Sequence, residues 1–516
     1  MNEPLILTID FGTQSVRVSL FTKQGDIVAM EKEKYAPAYF STQTGYAEQD
    51  PDYYYECLCK CTKRLTKKHA KLMPNVKGIT ETCFRDSAVL LDKEGKIIRP
   101  MILWLDQRFA KCEKKLPFLA RTAFKLVGME DVMAMNRRRT AANWIIENEP
   151  ENWAKVDKYL ALSTYFIYRL TDKMRDSAAN LSGHYPIDFK AKKWYRKPDK
   201  HLKGQIFSIK ESMLCEIVKE GHLLGTITVK ASQETGIPAG IPIFAAGSDK
   251  SCETLGTGVI DSSMISISLG TACTVETTVT KYTEPVKFFP AYPSCIDGYY
   301  NMDVQIYRGF WMINWFLKEF GNERIQDVVL DEVEAETFNK KMMEIPAGSD
   351  GLLLQPYWGS LLDRPVVKGA VVGFGGSTTR YHFYKAIVEG IGYALREASE
   401  GFEKKLGQRF KSIRIAGGGS RSAEVCQVMA DIFGLPVSRV QTNETSSLGA
   451  AIAGFLAIKE YGSQESAVKA MVRVADTFYP RTKEHHIYNK LFNEGYLKLY
   501  PSLKETYKML WNYSQN

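Results

Sequence analysis

Two aspartates in this chain each follow a short apolar run and open onto a stretch of glycine and hydroxyl residues. Asp10 ends Leu5-Ile-Leu-Thr-Ile9 and precedes Phe11-Gly12-Thr13-Gln-Ser15. Asp249 follows Ile241-Pro-Ile-Phe-Ala-Ala246 and Gly247-Ser248, and leads into Lys250-Ser-Cys-Glu-Thr-Leu-Gly256-Thr-Gly258. In open α/β sheets ligands bind at the carboxyl ends of strands. Asp249 is therefore a candidate to take a proton from a substrate hydroxyl, with a helix N-cap as its alternative. Asp10 is a candidate to face Mg²⁺ through water, with an Asx-type turn as its alternative.

The turn after Asp10 recurs. Met264-Ile-Ser-Ile-Ser-Leu269 runs into Gly270-Thr271-Ala-Cys-Thr274, and Gly270 lies 258 positions after Gly12, half of the 516-residue chain. A glycine turn lets backbone N–H groups converge on an anion while Thr and Ser add hydroxyl donors, so two such turns across a cleft suit a chain of phosphates. A third glycine turn, Gly417-Gly-Gly-Ser420, follows Ile413-Arg-Ile-Ala416 and precedes a helix whose Val425, Val428, Met429 and Ile432 share one face. It would let a flat group approach the backbone. Phe84-Arg85-Asp86 and Trp104-Leu-Asp106-Gln-Arg108 each end a strand and combine cation, carboxylate and indole. That set suits a polyol, whose hydroxyls pair with charged groups while its C–H faces pack on Trp; exposed salt bridges are the alternative.

Strands alternating with helices in both halves predict an α/β fold, with Val76 to Cys83, Ala88 to Leu91, Ile241 to Ala246 and Ile413 to Ala416 as strands. Two related domains follow from the repeated turn, divided as 1–258 and 259–516. Glu444 to Gly454 reads as a helix of small residues with a structural role, and the tail from about 455 reads as helical and charged. Composition (45% hydrophobic, 25% charged) excludes disorder and fibrous classes. No apolar run approaches the roughly 18 residues of a membrane span. The net charge of +9 is small and dispersed, which argues against a nucleic-acid partner. Ten sparse cysteines, without a C-x-x-C pair, and an N-terminus without a basic leader point to the cytoplasm. Walker A, G-x-G-x-x-G, G-x-S-x-G and H-E-x-x-H signatures are absent.

At these residues the chain resembles the FGGY family of carbohydrate kinases, whose fold is similar to the actin and Hsp70 ATPase domains. The likeness runs through Asp10-Phe-Gly-Thr13 with Ser15 and Arg17, Gly45 to Pro51, Trp104 to Arg108, Gly247-Ser-Asp249, Gly256-Thr-Gly258, Gly270-Thr271, Gly369, Glu389-Gly390, Gly417-Gly-Gly419 and Leu448-Gly-Ala-Ala451. The resemblance implies two actin-like (ribonuclease H-like) domains, each a mixed sheet flanked by helices, around a cleft. It implies ATP and Mg²⁺ as cofactors, Asp249 as catalytic base, and Asp10 with Asp249 facing the metal. Gly12, Thr13, Ser15, Arg17, Gly270, Thr271, Gly369, Gly417 and Gly418 would bind ATP, and Arg85, Asp86, Trp104 and Asp106 the sugar.

The implied reaction moves the γ-phosphoryl of ATP to a terminal hydroxyl of a small sugar or polyol. Gly45-Tyr-Ala-Glu-Gln-Asp-Pro51 resembles xylulokinases. Arg85-Asp86 stands where glycerol kinases and autoinducer-2 kinases carry Arg-Glu and xylulokinases Met-His, and Lys250 stands where glycerol kinases carry Gln and xylulokinases Asn. The expected substrate is a ketopentose, with erythritol, glycerol or an autoinducer-2-type compound as alternatives. An actin- or Hsp70-like ATPase that switches a protein partner and a catalytically silent sugar sensor are the rival classes. A homodimer is left open.

Overall fold

The computed structural model describes residues 3–515 apart from 114, 322–327, 360, 362, 363 and 365. Its first sheet is built from β1 (Leu5–Phe11), β2 (Ser15–Phe21), β3 (Ile27–Lys34), β4 (Val76–Cys83), β5 (Leu223–Thr226) and β6 (Pro242–Phe244), in the order β5-β6-β4-β1-β2-β3. The second is built from β7 (Met264–Leu269), β8 (Cys273–Val279), β9 (Tyr292–Pro293), β10 (Tyr300–Ile306), β11 (Ser412–Ala416), β12 (Val437–Val440) and β13 (Val474–Phe478), in the order β9-β10-β8-β7-β11-β12-β13. β1 is buried along its whole length, as a strand covered on both faces must be, whereas edge strand β3 alternates.

The repeat visible in the sequence is a repeat of topology. β1 pairs antiparallel with β2 and parallel with β4; β7 pairs antiparallel with β8 and parallel with β11. The two Gly-Thr turns thus occupy equivalent hairpins, and parallel neighbours bring further strand ends beside each one.

Five helices pack around the two sheets and the cavity: α1 (Pro51–Lys68), α2 (Asp249–Gly256), α3 (Arg380–Leu406), α4 (Ala423–Phe433) and α5 (Thr445–Ala457). α1 starts where Asp50 accepts from Asp52 N at 2.9 Å and Pro51 fills the first helical position. α4 is the helix read from its apolar spacing: Val425, Val428, Met429 and Ile432 are all buried, Ser422 caps its start and Gly434 its end. α5, although late in sequence, lies on the first sheet, where Thr80 Oγ1 donates to Ala450 O at 2.9 Å. With Ile6, Phe21, Ala246, Cys252 and Leu255, its buried face forms an apolar cluster separate from the cores of the two sheets.

α2 and α5 touch backbone to backbone. A Cβ on Gly256 would stand 1.9 Å from Thr445 O, and one on Gly449 1.8 Å from Cys252 O. Only glycine permits that approach at both positions. One expectation fails in the tail: Val474–Phe478 is a strand, antiparallel to β12, with helices on either side. As a half-exposed edge strand bearing Asp476 and Thr477, it lacks the apolar run or clean alternation by which strands are read.

Replacing Gly256 or Gly449 by Ala should force the helices apart and lower unfolding stability by about 1–3 kcal/mol or more. Gly401→Ala in α3, where nothing lies within 4 Å of the added carbon, should raise it by about 0.5–1 kcal/mol. Chemical denaturation of the three variants checks this, and equal midpoints would remove the helix crossing as a packing constraint.

Candidate active site

Asp249 is the first residue of α2, directly after Ser248 at the cap position, and β6 delivers it to the carboxyl edge of the first sheet. Its Oδ1 accepts from the backbone N of Lys250 at 2.9 Å; among the described residues no hydrogen bond reaches Oδ2. Burial raises its pKa above the usual aspartate value, while Lys250 and Arg85 pull it part of the way back. A partly desolvated carboxylate with one open oxygen can accept a proton. Asp249 lines a cavity of about 940 Å³ that also takes in Thr13, Arg85, Asp86, Trp104, Gly270 and Thr271. Residues of both turns and of the expected polyol set therefore share one open cavity.

Lys250 points at the second half. Its Nζ donates to Ser268 Oγ at 2.8 Å, two residues before Gly270, and to Glu253 Oε1 at 3.1 Å. Burial works against its charge, but Glu253 and Asp249 outweigh burial and hold its pKa above the usual lysine range. The site thus keeps a fixed cation between its carboxylate and the second turn.

The polyol residues divide. Arg85 lies on the wall, with Nη1 2.5 Å from Asp303 Oδ2, Nη2 3.3 Å from Gln305 Oε1 and its guanidinium 5.2 Å from the centre of the Tyr292 ring. Asp86, in a left-handed conformation at φ 60°, accepts from the His184 backbone N at 2.8 Å and pairs with His184 Nδ1 at 2.6 Å. Burial pushes its pKa up, but His184 outweighs burial and holds it below the usual value. Trp104 Nε1 donates to Thr13 Oγ1 at 3.1 Å, joining the indole to the first turn. Asp106 departs from expectation. Its oxygens accept from Ala47 N, Arg108 N and the Arg108 guanidinium at 2.6–2.9 Å, and it does not line the cavity. It braces the segment that carries Trp104 and is not placed to meet a sugar.

Asp10 is buried where β1, β2 and α5 meet. Its Oδ2 lies 3.4 Å from both Arg17 Nη1 and Ser447 Oγ, and Arg17 Nε pairs with Glu444 at 3.1 Å. Burial raises its pKa to about 6; Arg17 opposes the shift, while Glu444 and Asp249 add to it. The start of α5 thus brings Glu444 and Ser447 beside Arg17 and Asp10. The Gly12 N to Ser15 O bond of 3.0 Å closes the first turn, with Arg17 beside it.

In the second half, Gly417 adopts φ 82° and packs on the backbone of Leu269, where a Cβ would come within 2.8 Å. The glycine triplet is thereby pressed against the strand end that carries Gly270. Gly418 faces open space, with nothing within 4 Å of a Cβ position, and Gly419 lies under the Phe310 ring. Gly369 packs under Trp358 ahead of the strand Ala370–Val372.

Asp10 and Asp249 offer oxygen donors, the class Mg²⁺ prefers, and Mg²⁺ keeps much of its coordination to water and phosphate. No group of three or more metal-binding side chains converges among the described residues. Anionic charge buried enough to lift Asp10 to about 6 is charge a cation would stabilise, so these residues fit a Mg²⁺ held largely through phosphate oxygens.

His184, Asp303, Gln305, Ser268 and Glu444 escape the sequence reading. Asn301, Asp303 and Gln305 alternate in β10, a polar stripe in a sheet whose neighbouring strand is wholly buried, and that signal points to them. His184 and Ser268 carry no comparable mark.

Comparison with known proteins places this arrangement. The chain is 28% identical over 500 residues, 96% of its length and 93% of the relative's, to a protein of Escherichia coli K12 named uncharacterized sugar kinase YgcE. It is 26% identical over 519 residues to a xylulose kinase of Staphylococcus epidermidis, covering 99% of this chain and 98% of that one. The ligand-bound crystal structure of xylulose kinase from Lactobacillus acidophilus shares the fold, with a TM-score of 0.81 at 22% identity over 98% of this chain and 100% of that one. The N-terminal domain model of the FGGY family of carbohydrate kinases matches residues 5–256 and its C-terminal domain model residues 265–458, so the chain belongs to that family, whose members are phosphotransferases acting on a sugar hydroxyl.

Proposed function

We propose that this chain is an ATP-dependent pentulose kinase that moves the γ-phosphoryl of ATP to a terminal hydroxyl of a ketopentose of the xylulose or ribulose type. The observation that carries the reading is the open Oδ2 of Asp249 in a cavity shared with Thr13, Gly270 and Thr271. The relatives named xylulose kinase supply the substrate class. The unpaired state of all ten cysteines supports a reducing, cytoplasmic setting.

In this reading the halves 1–258 and 259–516 close over both substrates. The sugar lies on Trp104 and the Arg85–Asp86 wall with its terminal hydroxyl at Asp249. The backbone N–H groups of the Gly12–Thr13 and Gly270–Thr271 turns hold phosphates, and the Gly417–Gly418 turn faces the adenosine. Asp249 takes the hydroxyl proton late, because the transition state of phosphoryl transfer is loose and little negative charge is needed on the attacking oxygen early. Lys250 presents its charge near the second turn. Mg²⁺, faced by Asp10 and Asp249, would neutralise charge on the phosphates when bound. Most of the acceleration comes from holding the hydroxyl and the phosphoryl group in line with water excluded.

Coupled ADP release with Mg-ATP across ketopentoses, aldoses, glycerol, erythritol, other alditols, inositols and D-gluconate tests the assignment. A rise confined to ketopentoses supports it. Turnover indifferent to every sugar contradicts it and favours a partner-switching ATPase. Asp249→Asn should cut kcat by about 10² or more while leaving ATP and sugar affinity nearly intact; near-normal turnover would remove Asp249 as the base. The Asp10 carboxyl, raised to about 6, is protonated below that pH and no longer attracts a cation. The Kd of Mg-ATP should therefore rise as pH falls through about 6, and Asp10→Asn should flatten that dependence; an unchanged pH profile in the variant would assign it elsewhere.

A further inference from the structure

The sequence places the Arg85 fork against the sugar, yet two of its nitrogens are committed to β10 of the second half. Nη1 holds Asp303 Oδ2 at 2.5 Å, Nη2 reaches Gln305 Oε1 at 3.3 Å, and Tyr292 covers the guanidinium. Arg85 therefore fixes the Asp303 carboxylate in one orientation. The side chain of Asp303 is 5% exposed, and its second oxygen, Oδ1, is buried with no hydrogen-bond partner among the described residues. A buried acceptor left unpaired has lost its hydration with nothing in return, the more so when it is charged, so such an atom calls for a donor. Asp303 and Gln305 both line the cavity that holds Asp249 and Trp104.

We propose that Asp303 accepts a hydrogen bond from a sugar hydroxyl other than the one that is phosphorylated, with Arg85 as its positioning residue. The inference rests on the sugar-kinase reading and extends it. Asp249 and Trp104 come from the first half and Asp303 from the second, so a sugar touching all three bridges the halves. Its hydroxyl pattern is then read at the same contact that draws them together. A site built to pair with a hydroxyl discriminates strongly against an analogue that lacks it, because the buried acceptor is left bare.

The test compares wild type, Asp303→Asn and Asp303→Ala on D-xylulose, D-ribulose, erythritol, glycerol and D-gluconate, and on the monodeoxy analogues of whichever is turned over fastest. Wild type should lose tenfold or more in kcat/KM on one analogue deoxygenated away from the phosphorylated carbon. Both variants should lose tenfold or more on the parent sugar, treat parent and that analogue alike, and keep the KM for Mg-ATP within about twofold. Equal discrimination by wild type and variants at every position, or a loss confined to Mg-ATP, overturns the proposal. If Ala unfolds the chain, the near-isosteric Asn variant and the wild-type analogue series still decide. Calorimetric binding of the same sugars without nucleotide separates the role of Asp303 from the kinase activity. Sugar binding weakened in the variants but never followed by turnover would sink the kinase reading and keep Asp303; turnover with unaltered sugar affinity and selectivity would sink Asp303 and keep the kinase.

Discussion

The contact between α2 and α5 is the constraint on which the rest of this molecule depends. Gly256 and Gly449 let two helix backbones meet with no side chain between them, and each glycine faces the other helix's carbonyl or amide groups. One helix starts with Asp249; the other brings Glu444 and Ser447 to Asp10. The apolar cluster around the crossing draws Ile6, Cys252, Leu448 and Ile452 from both ends of the chain. Separating the helices by the width of a methyl group would shift the carboxylate proposed as the base, and displacements of about 1 Å are enough to cost large factors in rate.

Around that crossing the charge is deliberately unbalanced. Asp10 and Glu276 are buried and Asp249 half-buried, and all three are held above their usual pKa values, desolvation being the largest cause in each case. Arg17, Lys250 and Arg85 offset part of that cost, and each is tied to a carboxylate. A cleft with surplus buried carboxylate near two N–H-rich turns is poorly satisfied alone and well satisfied by a cation with phosphates. The cavity wall follows the same logic: Arg85 and His184 are each occupied by a carboxylate, and among the described residues no hydrogen bond reaches Asp303 Oδ1.

Much of this was legible in the sequence because it lay in local pattern. The strands before Asp10 and Gly270, the hairpin turns between them, the 258-residue repeat and the apolar face of α4 are short-range signals, and the corresponding elements are present. What escaped depends on long-range pairing. Asp106 looked like a sugar ligand because its type fits, but its oxygens are filled by Ala47 and Arg108 across a loop. β13 escaped because it takes its order from pairing with β12 rather than from apolar residues of its own. Glu444 and Ser447 meet Arg17 and Asp10 only once α5 packs on the first sheet, a placement that spacing within α5 does not encode.

In the proposed reaction the phosphoryl group passes to a sugar hydroxyl held at Asp249 rather than to water. Phosphorus NMR of Mg-ATP incubated with the enzyme and its preferred ketopentose tests this directly. The expected result is one sugar phosphomonoester, on a terminal carbon, for each ADP formed, with inorganic phosphate at the level of the enzyme-free control. Inorganic phosphate appearing in step with ADP, without an ester, would contradict it.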